Sequence, residues 1–260
     1  MKTSPWPNLD EAASALREGN GEGVKIAVLD TGVDRNHEVF ERLEWAGDLA
    51  VSSIGTAVES SGDDVYGHGT AIAGVIHQLA PRASIGSIRV LNHQLSSQVQ
   101  TIAAGARIAL KLGYDILHCS FSSGEEQGRV ADFKTWIDSA YVEGRHVVAA
   151  SHHQNRHRRG WPGHFPTVIT VGIANTEDKE GLFYRPDSLV EFGARGHNVF
   201  IAWKGGVYRK LTGSSYAAPH VTGLLARLIS AFPNLTPLTA KALLQNLAQP
   251  WEEKESWNND

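Results

Sequence analysis

The chain is poor in the features that mark several protein classes. It has one cysteine, Cys119, in 260 residues, so an internal disulfide framework is excluded and a reducing, cytoplasmic setting is expected. No apolar run approaches the length of a membrane span, and the start, Met1 to Pro7, lacks the apolar segment of a secretory signal. No membrane partner is therefore expected. Neither charge dominates: 24 Lys and Arg face 28 Asp and Glu, a net −4, which gives no reason to expect a nucleic-acid partner. Internal repeats, low-complexity tracts and linkers are also missing. With 42% hydrophobic residues, the chain can bury one substantial core.

What is present alternates. Short continuous apolar runs at 24–29, 83–91, 115–121, 146–150, 167–173 and 198–202 suit strands buried on both faces of a parallel sheet. Helical patterns fall between or beside them at 69–78, 97–112, 130–143, 215–232 and 236–247, with a shorter one at 9–17. The expected fold is α/β, a doubly wound, mainly parallel sheet with helices on both faces. Residues 1–23 read as an N-terminal arm, 24–250 as one domain and 251–260 as a polar tail. Right-handed crossovers would set Asp30 and the loop after Ala150 on one active edge, at the strand C-termini.

Three segments carry chemistry. Gly213-Ser214-Ser215-Tyr216-Ala217-Ala218-Pro219-His220 is a small-residue turn that presents Ser215 at the start of a helix. Asp30-Thr31-Gly32 ends the first apolar run, and Gly67-His68-Gly69-Thr70 opens a helix. A serine hydroxyl needs a hydrogen-bonded base to attack a carbonyl, and that base needs an orienting carboxylate. Ser215, His68 and Asp30 supply one group for each role. Taken singly, Asp30 suits a strand-end turn, His68 a core histidine and Ser215 a helix cap; together they suit acyl transfer. Helix amides and dipole at Ser215 would favour a developing negative charge. Pro219 fits a first helical turn, where a missing N–H costs little.

These motifs, in the order Asp, His, Ser, resemble those of the subtilisin-like serine proteases. The likeness runs from about residue 24 to 247 and includes Leu79-Ala80-Pro81-Arg82-Ala83-Ser84 and Trp161-Pro162-Gly163-His164-Phe165-Pro166. It implies a serine endopeptidase acting on peptide or protein substrates through an acyl-enzyme. It also implies that Ser120-Phe121-Ser122 pairs with substrate backbone, that Ala150 and Ser151 border the primary specificity pocket, and that Gly160 forms its floor. Glu125, followed by Glu126, stands where proprotein-convertase relatives carry paired acids that select a basic side chain; a solvated turn is the competing reading.

The departures from the family pattern are informative. Where Ala-Ala-Gly-Asn is usual, this chain has Ala149-Ala150-Ser151-His152, so the amide that donates to the oxyanion is replaced by an imidazole. His152 is the first candidate for that donor and Asn155 the second. Tyr216 replaces the usual Met after the nucleophile and Ala71 a common His. The Asn-rich insertion that binds calcium in many secreted relatives is missing after Val75, and no cofactor or metal is expected. The segment 152–159, rich in His and Arg, reads as a solvated cleft rim, Asp63 and Asp64 as a solvated turn, and Cys119 as a buried small hydrophobe. No prosegment is read ahead of the domain, which an intracellular form without one, or a catalytic domain taken from a longer chain, would explain; a fused or associated regulatory domain is a candidate partner. The competing class is a subtilase-like pseudoenzyme that grips peptides without hydrolysing them.

Overall fold

The computed structural model describes residues 7–52, 54–124, 129–152, 159–188 and 190–252. Five of the six apolar runs form strands β1 (Lys25–Asp30), β4 (Ser84–Arg89), β5 (Ile116–Cys119), β6 (His146–Ala150) and β7 (Ile169–Ala174). Mixed sequences, which the apolar pattern did not single out, add β2 (Trp45–Val51), β3 (Ala57–Glu59), β8 (Phe183–Tyr184), β9 (Phe192–Arg195) and β12 (Gln249–Pro250). Among the described residues these make one sheet in the order β12-β8-β9-β7-β6-β5-β1-β4-β2-β3. Every pairing from β9 through to β2 is parallel. Only β3 and β8 pair antiparallel with a sheet neighbour, near the two edges. The sixth apolar run, 198–202, does not join that mainly parallel sheet as expected: it forms β10 (Val199–Trp203), which pairs antiparallel with β11 (Val207–Leu211) in a separate hairpin turned through Lys204-Gly205-Gly206.

Helices cover both faces, as the alternating pattern implies. On one face, α2 (His68–Leu79), α5 (Ser214–Ala231) and α6 (Pro237–Leu247) share a core with Ile26, Val28, Ile85, Ile116 and Val148 of the sheet. On the other, α3 (Val99–Lys111) and α4 (Arg129–Val142) pack on Ala27, Leu29, Ile88, Leu117 and Val147. Strand residues thus alternate between two apolar layers, which explains why their sequences read as unbroken apolar runs. The arm forms α1 (Leu9–Glu18), whose Ala12 and Ala15 join the first core. The buried Arg227 of α5 fastens α1 and α2 together by donating to the carbonyls of Leu16 and Leu79, both at 2.7 Å. Such terminal carbonyls have no helical donor of their own.

Strand order reverses at β1, which has β4 on one side and β5 on the other. A crevice at the C-terminal edge is expected at such a switch point. Register sets Leu29 beside Cys119 and Cys119 beside Ala149. One residue on, Asp30, Ser120 and Ala150 therefore leave the sheet at the same level.

Candidate active site

Asp30 is the last residue of β1 and is fully buried. His68 is the first residue of α2, and its Nδ1 lies 2.9 Å from both carboxylate oxygens of Asp30. A glycine allows this approach: a Cβ on Gly69 would lie 2.0 Å from the Gly32 carbonyl oxygen, so only an unsubstituted backbone there lets α2 begin so close to the end of β1. Gly67, whose φ is +121°, serves a different neighbour, since a Cβ on it would lie 2.3 Å from the Trp203 ring.

Asp64 was expected in a solvated turn and is instead buried. One oxygen accepts from Thr31 Oγ1 at 2.7 Å and from the amides of Tyr66 and Gly67 at 2.9 and 2.7 Å. The other accepts from Thr70 N at 2.8 Å and Thr70 Oγ1 at 2.7 Å. Thr31 Oγ1 in turn accepts from Gly69 N at 3.1 Å. A single carboxylate thus collects the early amides of α2 and ties them to the turn after Asp30, as a capping aspartate does. An Asp four residues ahead of His68, just before a helix, was the available signal in the sequence.

Electrostatics follow from this arrangement. Burial is the largest influence on His68 and pulls its pKa down, but the charge of Asp30, the hydrogen bond to Asp30 and the charge of Asp64 together outweigh it. The net shift is upward from 6.5, so an imidazolium at this place is favoured.

Ser215 lies in the first turn of α5, which begins at Ser214. Its Oγ donates to the Ser120 carbonyl at 3.2 Å. Ser214 Oγ donates to the Ser151 carbonyl at 2.8 Å, fastening the loop after β6 to the same helix start. His152 follows Ser151 directly, and its Cβ faces Gly160. The Tyr216 ring lies 5.7 Å from that of His68. Pro219 does not occupy the first turn as expected: with α5 starting at Ser214, it is the sixth helical residue.

Ser120, Phe121 and Ser122 follow β5 along this edge, with the Ser120 side chain turned inward. Gly160 faces Ser122 so closely that a Cβ would come within 1.9 Å of Ser122 Oγ. Ser123 and Trp161 exchange two backbone hydrogen bonds of 2.8 Å, which joins the two segments. Ala150 ends β6 and is buried. Asn155 and Glu125 lie outside the described residues, as does most of the segment 152–159. Cys119 is buried, and burial together with Asp30 pushes its thiol pKa up. It is inert as a nucleophile. Among the described residues, no three His, Cys, Asp or Glu side chains converge as metal ligands, and no helix is long and apolar enough to cross a membrane.

Comparison with known proteins gives a consistent picture. A family model described as the subtilase family matches residues 21–259. Subtilisin DY from Bacillus licheniformis is 30% identical over 241 residues, covering 88% of this chain and 84% of that protein. Subtilisin E from Bacillus subtilis (strain 168) is 30% identical, with 88% of this chain matched to 61% of that one. An intracellular serine protease from Paenibacillus polymyxa is also 30% identical, over 83% of this chain and 69% of its own. Among solved structures, a cold adapted subtilisin-like serine proteinase superposes with a TM-score of 0.72 at 27% identity, covering 88% of this chain and 83% of that one.

Proposed function

The chain belongs to the subtilase family and is a serine endopeptidase, and from that premise we propose that Asp30, His68 and Ser215 are its catalytic triad. Asp30 holds the Nδ1 side of His68, leaving Nε2 to take the proton from Ser215 Oγ as it attacks a peptide carbonyl. The imidazolium so formed is stabilised by Asp30 at contact distance and by Asp64 behind it. The tetrahedral oxyanion is met by the Ser215 amide, at the positive end of α5, and by a His152 ring nitrogen, with Asn155 as the second candidate. Collapse passes the proton from His68 to the leaving amine, and water then resolves the acyl-enzyme through the same groups. Ser120-Phe121-Ser122 pairs with the substrate backbone. Ala150, Ser151 and Gly160 bound the pocket for the side chain before the scissile bond, and Glu125 would favour a basic one.

The observation that carries this reading is the buried contact of His68 Nδ1 with both Asp30 oxygens, on the same sheet edge as the Ser215 turn. By likeness to the relative named as an intracellular protease, we place the protein in the cytoplasm. Residues 24–250 are taken as the peptidase unit, with 1–23 as its arm and 251–260 as a tail.

Replacement of the usual amide donor by His152 favours a second reading, a peptide-gripping pseudoenzyme. Hydrolysis of a quenched fluorescent peptide library separates the two. The protease reading expects turnover that Ser215→Ala abolishes, and a fall of about 10²–10³-fold in kcat for His152→Ala. Peptide binding with no turnover in the parent protein would establish the pseudoenzyme instead.

A further inference from the structure

Pro219 has a consequence for the residue four places before it. A helical proline has no N–H to give the carbonyl at i−4, and its ring crowds that oxygen. Here that carbonyl belongs to Ser215. Ser120 supplies a replacement donor, its Oγ donating to Ser215 O at 3.1 Å, while Ser215 Oγ donates back to Ser120 O. Behind Ser120 stands His118, a fully buried polar residue inside β5. Its Nε2 lies 2.8 Å from Ser120 Oγ and its Nδ1 2.7 Å from Thr222 Oγ1. Thr222 is two turns beyond Ser215 on the same face of α5.

One arrangement of hydrogens satisfies all three contacts. The single Ser120 proton goes to the Ser215 carbonyl, so Nε2 must carry a hydrogen and donate to Ser120 Oγ. A neutral ring then has a bare Nδ1, which accepts from the Thr222 hydroxyl. We propose that His118, held by Thr222 as the Nε2–H tautomer, is a positioning residue that aims the Ser120 hydroxyl at the Ser215 carbonyl and so fixes the nucleophile turn. The proposal rests on the reading of Ser215 as nucleophile. Burial, aided by the charge of His68, pushes the His118 pKa down to about 3, which keeps the ring neutral wherever His68 can act as a base.

The test is made on the whole chain with ¹⁵N-labelled histidine rings, the His118 signals being identified by their loss in His118→Asn. The expected pattern is Nε2–H, unchanged between about pH 5 and 9. An Nδ1–H pattern would overturn the proposal, because a bare Nε2 would draw the Ser120 proton away from Ser215; an imidazolium forming in that range would also overturn it, because Nδ1 would then donate to Thr222, which could no longer select the tautomer. Kinetics give a second arm. Thr222→Val, Ser120→Ala and His118→Leu are each expected to lower kcat about tenfold with KM held within about twofold. His118→Asn, whose amide offers both a donor and an acceptor, should recover most of that loss. An Asn variant as slow as the Leu variant, or a loss confined to KM, would contradict the positioning role. Hydrolysis surviving Ser215→Ala would sink the nucleophile reading and leave the tautomer result standing.

Discussion

Two glycines of one helix make opposite predictions. At Gly69 a methyl group would sit 2.0 Å from the Gly32 carbonyl oxygen and 3.2 Å from Asp30 Cβ. Real Cβ atoms stay beyond 3.0 Å, so at least about 1 Å must be found, and the obstacle is backbone that cannot rotate away. Gly69→Ala should therefore push the start of α2 off β1, at a cost of about 1–3 kcal/mol in stability. At roughly 2–4 °C per kcal/mol, Tm falls by about 2–12 °C. The same shift lengthens the 2.9 Å Asp30–His68 contact, and a misplacement of that size costs about 100-fold in rate. At Gly74 the added methyl would meet Ala202 Cβ at 3.4 Å, ordinary van der Waals contact. Gly74→Ala should stabilise by about 0.4–1 kcal/mol, chiefly by restricting the unfolded chain. Calorimetry and steady-state kinetics on both variants decide the matter. A Gly69→Ala protein with parental kcat and Tm would refute the close-approach argument, as would a Gly74→Ala protein damaged equally.

Other expectations follow from the same geometry. Because the His68 pKa is raised above 6.5, the ascending limb of kcat/KM should have its midpoint above that value, since the neutral ring is the working base. Asp30→Asn should move the limb down and lower kcat by about 10⁴-fold; an unmoved limb would show that another group titrates. The sign for stability is opposite: folding favours the protonated ring, so this contribution is complete below 6.5 and is lost as pH rises through the folded-state value. Chemical denaturation of the parent and His68→Ala across that window measures it, and a parallel pH dependence in the two would contradict it. Tyr114 OH is buried beside Asp48 without a hydrogen-bond partner among the described residues, and its pKa is pushed up to about 12 by burial and that charge. Tyr114→Phe should leave Tm unchanged or raise it; a clear fall would show that the hydroxyl has a partner.

How much was legible in the sequence depended on the kind of residue that carried each feature. β1, β4, β5, β6 and β7 were readable because burial on both faces demands unbroken apolar runs. β2, β8, β9 and β12 carry mixed residues near the sheet edges, where one face or one side is less covered, and pattern alone does not mark them. β11 is mostly exposed and had only the Gly205-Gly206 turn to announce it. Asp30, His68 and Ser215 were legible from motif and order, although 38 and then 147 residues separate them. The buried partners were not. Asp64 looks solvated beside Asp63, and nothing local says that its neighbours turn their amides toward it. His118 and Thr222 lie 104 residues apart, and their relation exists only once α5 lies against β5. Pro219 lies deeper in α5 than its sequence suggests, because pattern alone does not fix a helix start to the residue.

The most direct test of the central claim is to locate the adduct of a fluorophosphonate probe by peptide mass spectrometry. A single modified residue, Ser215, is expected, with labelling abolished by Ser215→Ala and strongly slowed by His68→Ala. Labelling at another residue, or none in the parent protein while the probe remains active on a control protease, would contradict it.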